Sequence, residues 1–230
     1  MLTEPQRNFI SALSMLKKLA FSLNMQGKRL NYWKKVIFSD ESSFPLMNPN
    51  GRLLIRRTTD QRFEEDYIQE TGQTQSLMVW GAISLRGVGP LMRVDKIDGG
   101  ETTLNGDRYL TLLQRCLLRN YPALKTQKAI FQHDNAPSHR YGRVLVWFEK
   151  KNVKKLDWPP QSPDMNIIEN VWNEIKFKIR GETFDNKEQL WKRLKKEWKS
   201  ISEELIFNLY ESIPDRIAAL RLAEGHHTKY

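Results

Sequence analysis

Hydrophobic positions in the first thirty residues recur at helical spacing, with Leu13, Leu16, Leu19 and Ala20 set among basic side chains as far as Trp33. The spacing then changes. VIFSD at Val36–Asp40 is a short apolar run ending in an acid, which predicts a buried strand. Pro45–Asn48 to Gly51 predicts a turn, with LLIRR at Leu53–Arg57 as the returning strand. SLMVWGAIS (Ser76–Ser84) and GPLMRVDKI (Gly89–Ile97) are again strand-like, and Gly87-Val88-Gly89 between them is hairpin material. These three runs predict an antiparallel meander following the first acidic strand.

Asn105–Leu118 reads as an amphipathic helix, with Tyr109, Leu112, Leu113, Cys116 and Leu117 on its apolar side. AIFQHD (Ala129–Asp134) predicts a second buried strand ending in an acid. A helical pattern runs from Ser138 through Phe148, and Asn152–Trp158 predicts a short strand. Pro159, Pro160 and Pro163 break the chain. Ile168, Val171, Trp172, Ile175 and Ile179 then restore helical spacing, and Leu190–Trp198 and Leu205–Leu222 continue it. Strands first, then strands alternating with helices, then helices alone predict a mixed α/β or α+β layered fold.

Composition narrows the class. With 40% hydrophobic and 10% aromatic residues spread over 230 positions, the chain is globular in character. Lys and Arg number 37 against 27 Asp and Glu, a net charge of +10 with pI near 9.6. That excess suits a polyanion such as nucleic acid, because neutralising phosphates releases condensed counterions; a basic protein without such a partner is the plain alternative. Cys116 is the sole cysteine, which rules out an intrachain disulfide and a thiolate metal cluster and fits a reducing compartment. No run of ~18 apolar residues is present, so no membrane partner is expected. The opening MLTEPQRNFI does not read as a signal peptide.

Asp40 and Asp134 end apolar strands, and Glu169 falls in the first turn of the helix after the prolines. Open α/β sheets place ligands at the carboxyl edge of their strands, so two strand-end aspartates can converge there. Carboxylates are hard donors that suit Mg²⁺ or Mn²⁺, and two such ions can clamp the attacking and leaving oxygens of a phosphoryl displacement. Each acid also has a structural reading. A strand-end aspartate serves equally as a turn former or cap. Asn166-Ile-Ile-Glu169 matches a capping box, and on spacing alone the cap takes precedence over metal binding. His133 and His139 bracket Asp134 and fit hydrogen-bonding or phosphate contact better than ligation. Asp157 and Asp164 lie in the proline loop and read as turn residues.

Four blocks go beyond spacing: WKKVIFSDES (Trp33–Ser42), SLMVWGAIS, FQHDNAPSH (Phe131–His139) and LDWPPQSPDMNIIENVWNEIK (Leu156–Lys176). In order and approximate separation they resemble the catalytic domain of mariner-superfamily transposases. The 34 residues between Asp134 and Glu169 match the branch whose third acid is Glu, and SIPDRIAALRLAEGHHTKY resembles its ending. The resemblance implies an RNase H-like core, a mixed sheet flanked by helices with additional C-terminal helices, over residues 33–230. A helical lead-in would occupy residues 1–32. It implies that Asp40, Asp134 and Glu169 bind two Mg²⁺ or Mn²⁺ ions. Phosphodiesters at transposon ends would be hydrolysed, and the freed 3′-hydroxyl joined to target double-stranded DNA at TA. His133, Asn135 and His139 would lie beside the scissile phosphate. Trp158, Pro159 and Ser162 would shape the loop, and Arg56, Arg57 and Arg140 would contact phosphates. A homodimer on DNA and a nuclear location are expected.

The sequence departs from the family's pattern in two places. Only 39 residues precede Asp40, so the N-terminal region of two helix-turn-helix units is expected to be missing. Recognition of specific ends would go with it, leaving salt-sensitive backbone binding. The usual Pro after Asn before the third acid is Ile167 here, a change the first helical position tolerates. Two rival readings follow: a catalytically silent, transposon-derived nucleic-acid-binding protein, and a nuclease of RNA–DNA hybrids.

Overall fold

The computed structural model describes residues 3–47, 75–97 and 103–230. Helices α1 (Glu4–Met25) and α2 (Leu30–Trp33) lead into strand β1 (Val36–Pro45), followed by β2 (Ser76–Ser84) and β3 (Gly87–Arg93). Then come α3 (Gly106–Leu112), which widens into a π turn at Leu113–Leu117, and the short α4 (Leu118–Asn120). Strand β4 (Ile130–Gln132) and α5 (Gly142–Lys150) precede a helical end of α6 (Ile168–Lys178), α7 (Lys187–Lys199), α8 (Glu203–Glu211) and α9 (Ile213–Leu222).

The sheet has the order β3-β2-β1-β4. β1 with β2 and β2 with β3 are antiparallel, whereas β4 joins β1 in parallel. Alternate side chains feed two cores. Val36, Phe38 and Phe44 of β1 and Leu77, Val79 and Ile83 of β2 enter one core, which holds Trp172, Trp198, Tyr210 and Leu220 from the C-terminal helices. Ile37, Trp80 and Ala82 enter the other, beside Tyr109, Leu113, Trp147 and Phe148. Both faces are covered, so central strands read as continuous apolar runs.

Gly81 is a point of close approach. The stacked rings of Trp172 and Trp198, with centroids 4.9 Å apart, press on it. A Cβ there would stand 2.6 Å from Trp172 Cη2 and 2.8 Å from Trp198 Cη2. Gly81→Ala is therefore expected to cost about 1–3 kcal/mol. Urea unfolding checks this, and a midpoint equal to wild type would contradict it.

The structure differs from the sequence reading at several points. The run at Leu53–Arg57, with Arg56 and Arg57, lies outside the described residues. β1 does not stop at Asp40: the apolar run ends, but antiparallel pairing with β2 continues to Pro45 through alternating polar positions. The strand expected at Asn152–Trp158 shrinks to one parallel bridge between Lys155 and Phe131, because its partner β4 ends at Gln132 and offers no longer ladder. The helix expected from Ser138 begins only at Gly142. Leu205–Leu222 is two helices meeting at Ser212, with Pro214 opening the second. Among the described residues no helix is long and apolar enough to cross a membrane.

Candidate active site

The parallel β1–β4 pair sets the two aspartates side by side. Phe38 lies opposite Gln132 in the ladder, and Asp40 and Asp134 each follow two residues later. Buried Gln132 secures that edge: Ser39 Oγ donates to its carbonyl at 2.9 Å, and its Oε1 accepts from Ser39 N at 3.2 Å. The proline loop supplies the opposite wall. Asn135 Nδ2 donates to Trp158 O at 2.7 Å, and Phe21 of α1 packs edge-on against Trp158, with centroids 5.5 Å apart. The loop then enters α6, whose first turn carries Glu169. The resulting cavity of about 300 Å³ is lined by Asp40, Asp134, Glu169, Asn135, Ser162 and Asn166, among others.

The capping box read from spacing does not form. Ile167 occupies the cap position with φ −63° and no side-chain cap bond. Asn166 instead turns its amide toward the sheet, donating to Ser39 O at 3.4 Å. Glu169 is thereby released toward Asp40. Ile167 is fully buried at a φ that proline also adopts, which accounts for its tolerance there.

The carboxylates divide by environment. Asp40 is pushed up to about 8, first by burial and then by the charges of Glu41 and Glu169. Its Oδ2 is buried and has no hydrogen-bond partner, as is Asn166 Oδ1. Burial also raises Glu169, against the opposing effects of Lys176 and of a bond to Asp40. Asp134, half-exposed, goes the other way. Burial would raise it, but bonds from His139 and from the Ala136 amide hold it below the ordinary carboxylate value.

His139 explains the split. Its ring is almost fully buried, with Nδ1 2.6 Å from Asp134 Oδ1 and Nε2 3.3 Å from Glu41 Oε1. Burial opposes its charge, but bonds to Asp134 and Glu41 outweigh that and push it up to about 10. It is an imidazolium clamped between two carboxylates. His133 does not line the cavity. It sits behind the strand end among Phe131, Phe148 and Tyr109, at 8% exposure. Burial, followed by the charge of His139, lowers it to about 3. Being neutral, it shares a hydrogen bond of 3.1 Å with the Tyr109 hydroxyl. Arg140 is exposed next to the clamp. Asp164 faces away from the cavity, toward Thr228.

Sequence reasoning missed Glu41 and Tyr109. The acid pair Asp40-Glu41 was visible, but alternation along β1 should send neighbours to opposite faces, and nothing local shows that His139 awaits Glu41. Among the described residues, no three His, Cys, Asp or Glu side chains converge closely enough to cage a metal. A dedicated cage is not needed for Mg²⁺, which is held by one or two carboxylates with water and substrate phosphate. The orphaned Asp40 oxygen and the all-oxygen donor set fit such an ion.

The chain matches the family described as DDE superfamily endonuclease over residues 35–191, a span that includes all three acids. It is 35% identical over 200 residues to the Tcb1 transposase of Caenorhabditis briggsae, covering 86% of this chain and 71% of that protein. It is 31% identical over 228 residues to the Tc1 transposase of Caenorhabditis elegans, covering 98% and 81%. The fold superposes on the catalytic domain of Mos1 mariner transposase with a TM-score of 0.71 at 20% identity, covering 100% of this chain and 98% of that one. On the Mos1 transposase paired-end complex with left transposon end the TM-score is 0.75 at 21% identity, and this chain spans 65% of that one. The mixed four-stranded sheet flanked by helices is thus an RNase H-like core. Strand order, acid placement and sequence identity meet in one assignment: the chain belongs to the DDE superfamily endonucleases, alongside the Tc1-type transposases.

Proposed function

We propose that this chain is the metal-dependent DNA-cutting core of a transposase, and that Asp40, Asp134 and Glu169 are its catalytic acids. The observation that carries the reading is their convergence on one cavity, with the buried Asp40 Oδ2 left without a partner. Asp40, Asp134 and Glu169 would hold two Mg²⁺ or Mn²⁺ ions, whose chemistry there would be to polarise the scissile phosphodiester and lower the pKa of the attacking water. The protein's own groups do the rest. His139 holds Asp134 ionised and oriented. Asn135 ties the aspartate loop to the proline loop, which keeps the walls of the cavity at fixed separation. Asn166 Oδ1 leaves a neutral acceptor in the wall. Burial raises the Asp40 carboxyl, which must give up its proton as a cation binds, so binding strengthens as pH rises.

The substrate is double-stranded DNA. The resemblance to Tc1-type and mariner proteins supports hydrolysis at transposon ends, followed by joining of the 3′-hydroxyl to target DNA at TA, by a homodimer acting in the nucleus. The net charge of +10 supports backbone binding. Supercoiled plasmid tests the chemistry. Nicking is expected in Mn²⁺ or Mg²⁺, and neither in EDTA nor with Asp134→Ala. Wild-type protein that behaves like Asp134→Ala would overturn the reading in favour of a catalytically silent DNA-binding protein.

A further inference from the structure

The last residues of the sequence fold back onto the approach to Glu169. α9 ends in a turn in which Gly225 N–H bonds to Leu220 O at 3.0 Å and His226 N–H to Ala223 O at 2.8 Å. Gly225 has φ +84°, and a Cβ on it would stand 2.3 Å from the Met15 carbonyl oxygen of α1. No other residue turns there without moving α1. The turn sends the chain toward the proline loop. There the backbone N–H and the hydroxyl of Thr228 both donate to Asp164 Oδ2, at 3.2 and 2.9 Å.

Asp164 is only 6% exposed and lies in the turn immediately before Asn166 and Glu169. Among the described residues, Thr228 supplies both hydrogen bonds to its carboxylate, whose Oδ1 has none. A buried carboxylate stripped of its donors is costly, so the placing of this turn depends on the tail. Arg216, 2% exposed, completes the brace. Its guanidinium donates to Asp164 O at 2.7 Å and to Asn170 Oδ1 at 2.9 Å, gripping the segment on both sides of Glu169. The Tyr230 ring covers that guanidinium at 4.8 Å. A second cavity of about 260 Å³ lies between tail and helix, and Glu169 borders it as well as the carboxylate cavity.

We propose that His226–Tyr230 is a positioning strap for Glu169, with Thr228 the positioning residue that acts through Asp164 and Arg216. Loosening the strap would let the start of α6 drift and carry the Glu169 carboxylate away from Asp40. The proposal rests on the reading that Glu169 helps hold a divalent ion.

Mn²⁺ affinity, followed by electron paramagnetic resonance on the full chain, tests both ideas, with plasmid nicking beside it. Thr228→Val is expected to weaken Mn²⁺ binding and lower the nicking kcat by about tenfold, the scale seen when partners that orient ligands are removed. The KM for plasmid should not move, and Thr228→Ser should restore both quantities. Removal of residues 227–230 should have the larger effect. If Thr228→Val retains wild-type affinity and kcat, or lowers only the melting temperature, the strap is merely structural and the proposal falls. Glu169→Gln separates the two claims. Loss of Mn²⁺ binding there with wild-type binding in Thr228→Val sinks the strap alone, whereas unchanged binding in both sinks the metal reading and the strap with it.

Discussion

Glu169→Gln is expected to lower Mn²⁺-supported plasmid nicking by roughly 10²–10³-fold, the scale of losing one preorganised charge-stabilising group. The melting temperature should hold or rise. The substitution removes charge and keeps shape, so it separates the two roles that the position could have. A capping box accepts Gln as readily as Glu, and a purely capping residue would give a variant with normal activity. No such box forms here, since Ile167 is at the cap and Asn166 bonds to Ser39. Burial and the neighbouring Asp40 make the charge at Glu169 costly in the metal-free protein. A nicking rate within twofold of wild type would remove Glu169 from the chemistry.

Asp40→Asn is expected to stabilise the metal-free protein while destroying metal binding. The folded state raises this carboxyl from 3.8 to about 8. Below the lower value both folded and unfolded chains are protonated, and the group contributes nothing. As pH rises from about 4 to about 8 the unfolded chain gives up the proton and the folded one keeps it, so stability falls across that window and then levels. Each pKa unit is worth about 1.4 kcal/mol, and the neighbouring Glu169 titrates with Asp40, so only part of the shift is credited to this one group. The variant should gain about 3 kcal/mol at pH 8 in EDTA, roughly 6–12 °C in Tm, and almost nothing at pH 4. Added Mn²⁺ should stabilise wild type and leave the variant unmoved. Equal melting curves for the two proteins at pH 8 in EDTA would contradict a buried, strained Asp40.

Much of this arrangement was legible in the chain because it rests on local pattern. VIFSD and AIFQHD became β1 and β4 since continuous apolar runs are what a strand covered on both faces requires. The C-terminal helices followed from 3.6-residue spacing. What could not be read is what depends on partners far apart in sequence. The Asn166 amide satisfies a carbonyl 127 positions earlier in preference to the helix beside it, which is why the cap expected at Glu169 failed. His139 owes its charge first to Asp134, five positions back, but its second support is Glu41, 98 positions away. His133, expected beside Asp134 as a hydrogen-bond partner or phosphate contact, lies just past the end of β4 in the aromatic core, where it is bonded to Tyr109. The resemblance to transposases supplied the trio of acids, and the geometry shows that the third lines the same cavity and is not held in a helix cap.

The parallel pairing of β1 with β4 also governs when the enzyme can come into being. Ser39 and Gln132, which lock the aspartates together, are 93 positions apart. Closing a loop of that size costs about 4 kcal/mol before any contact across it is made. Antiparallel β1, β2 and β3 can assemble as successive neighbours during synthesis, but the acidic cluster must wait for the fourth strand, and its last member for α6. Chains released early, stalled or partly unfolded therefore hold these carboxylates apart. Closure is late and non-local: the cluster of acids arrives only with the finished molecule.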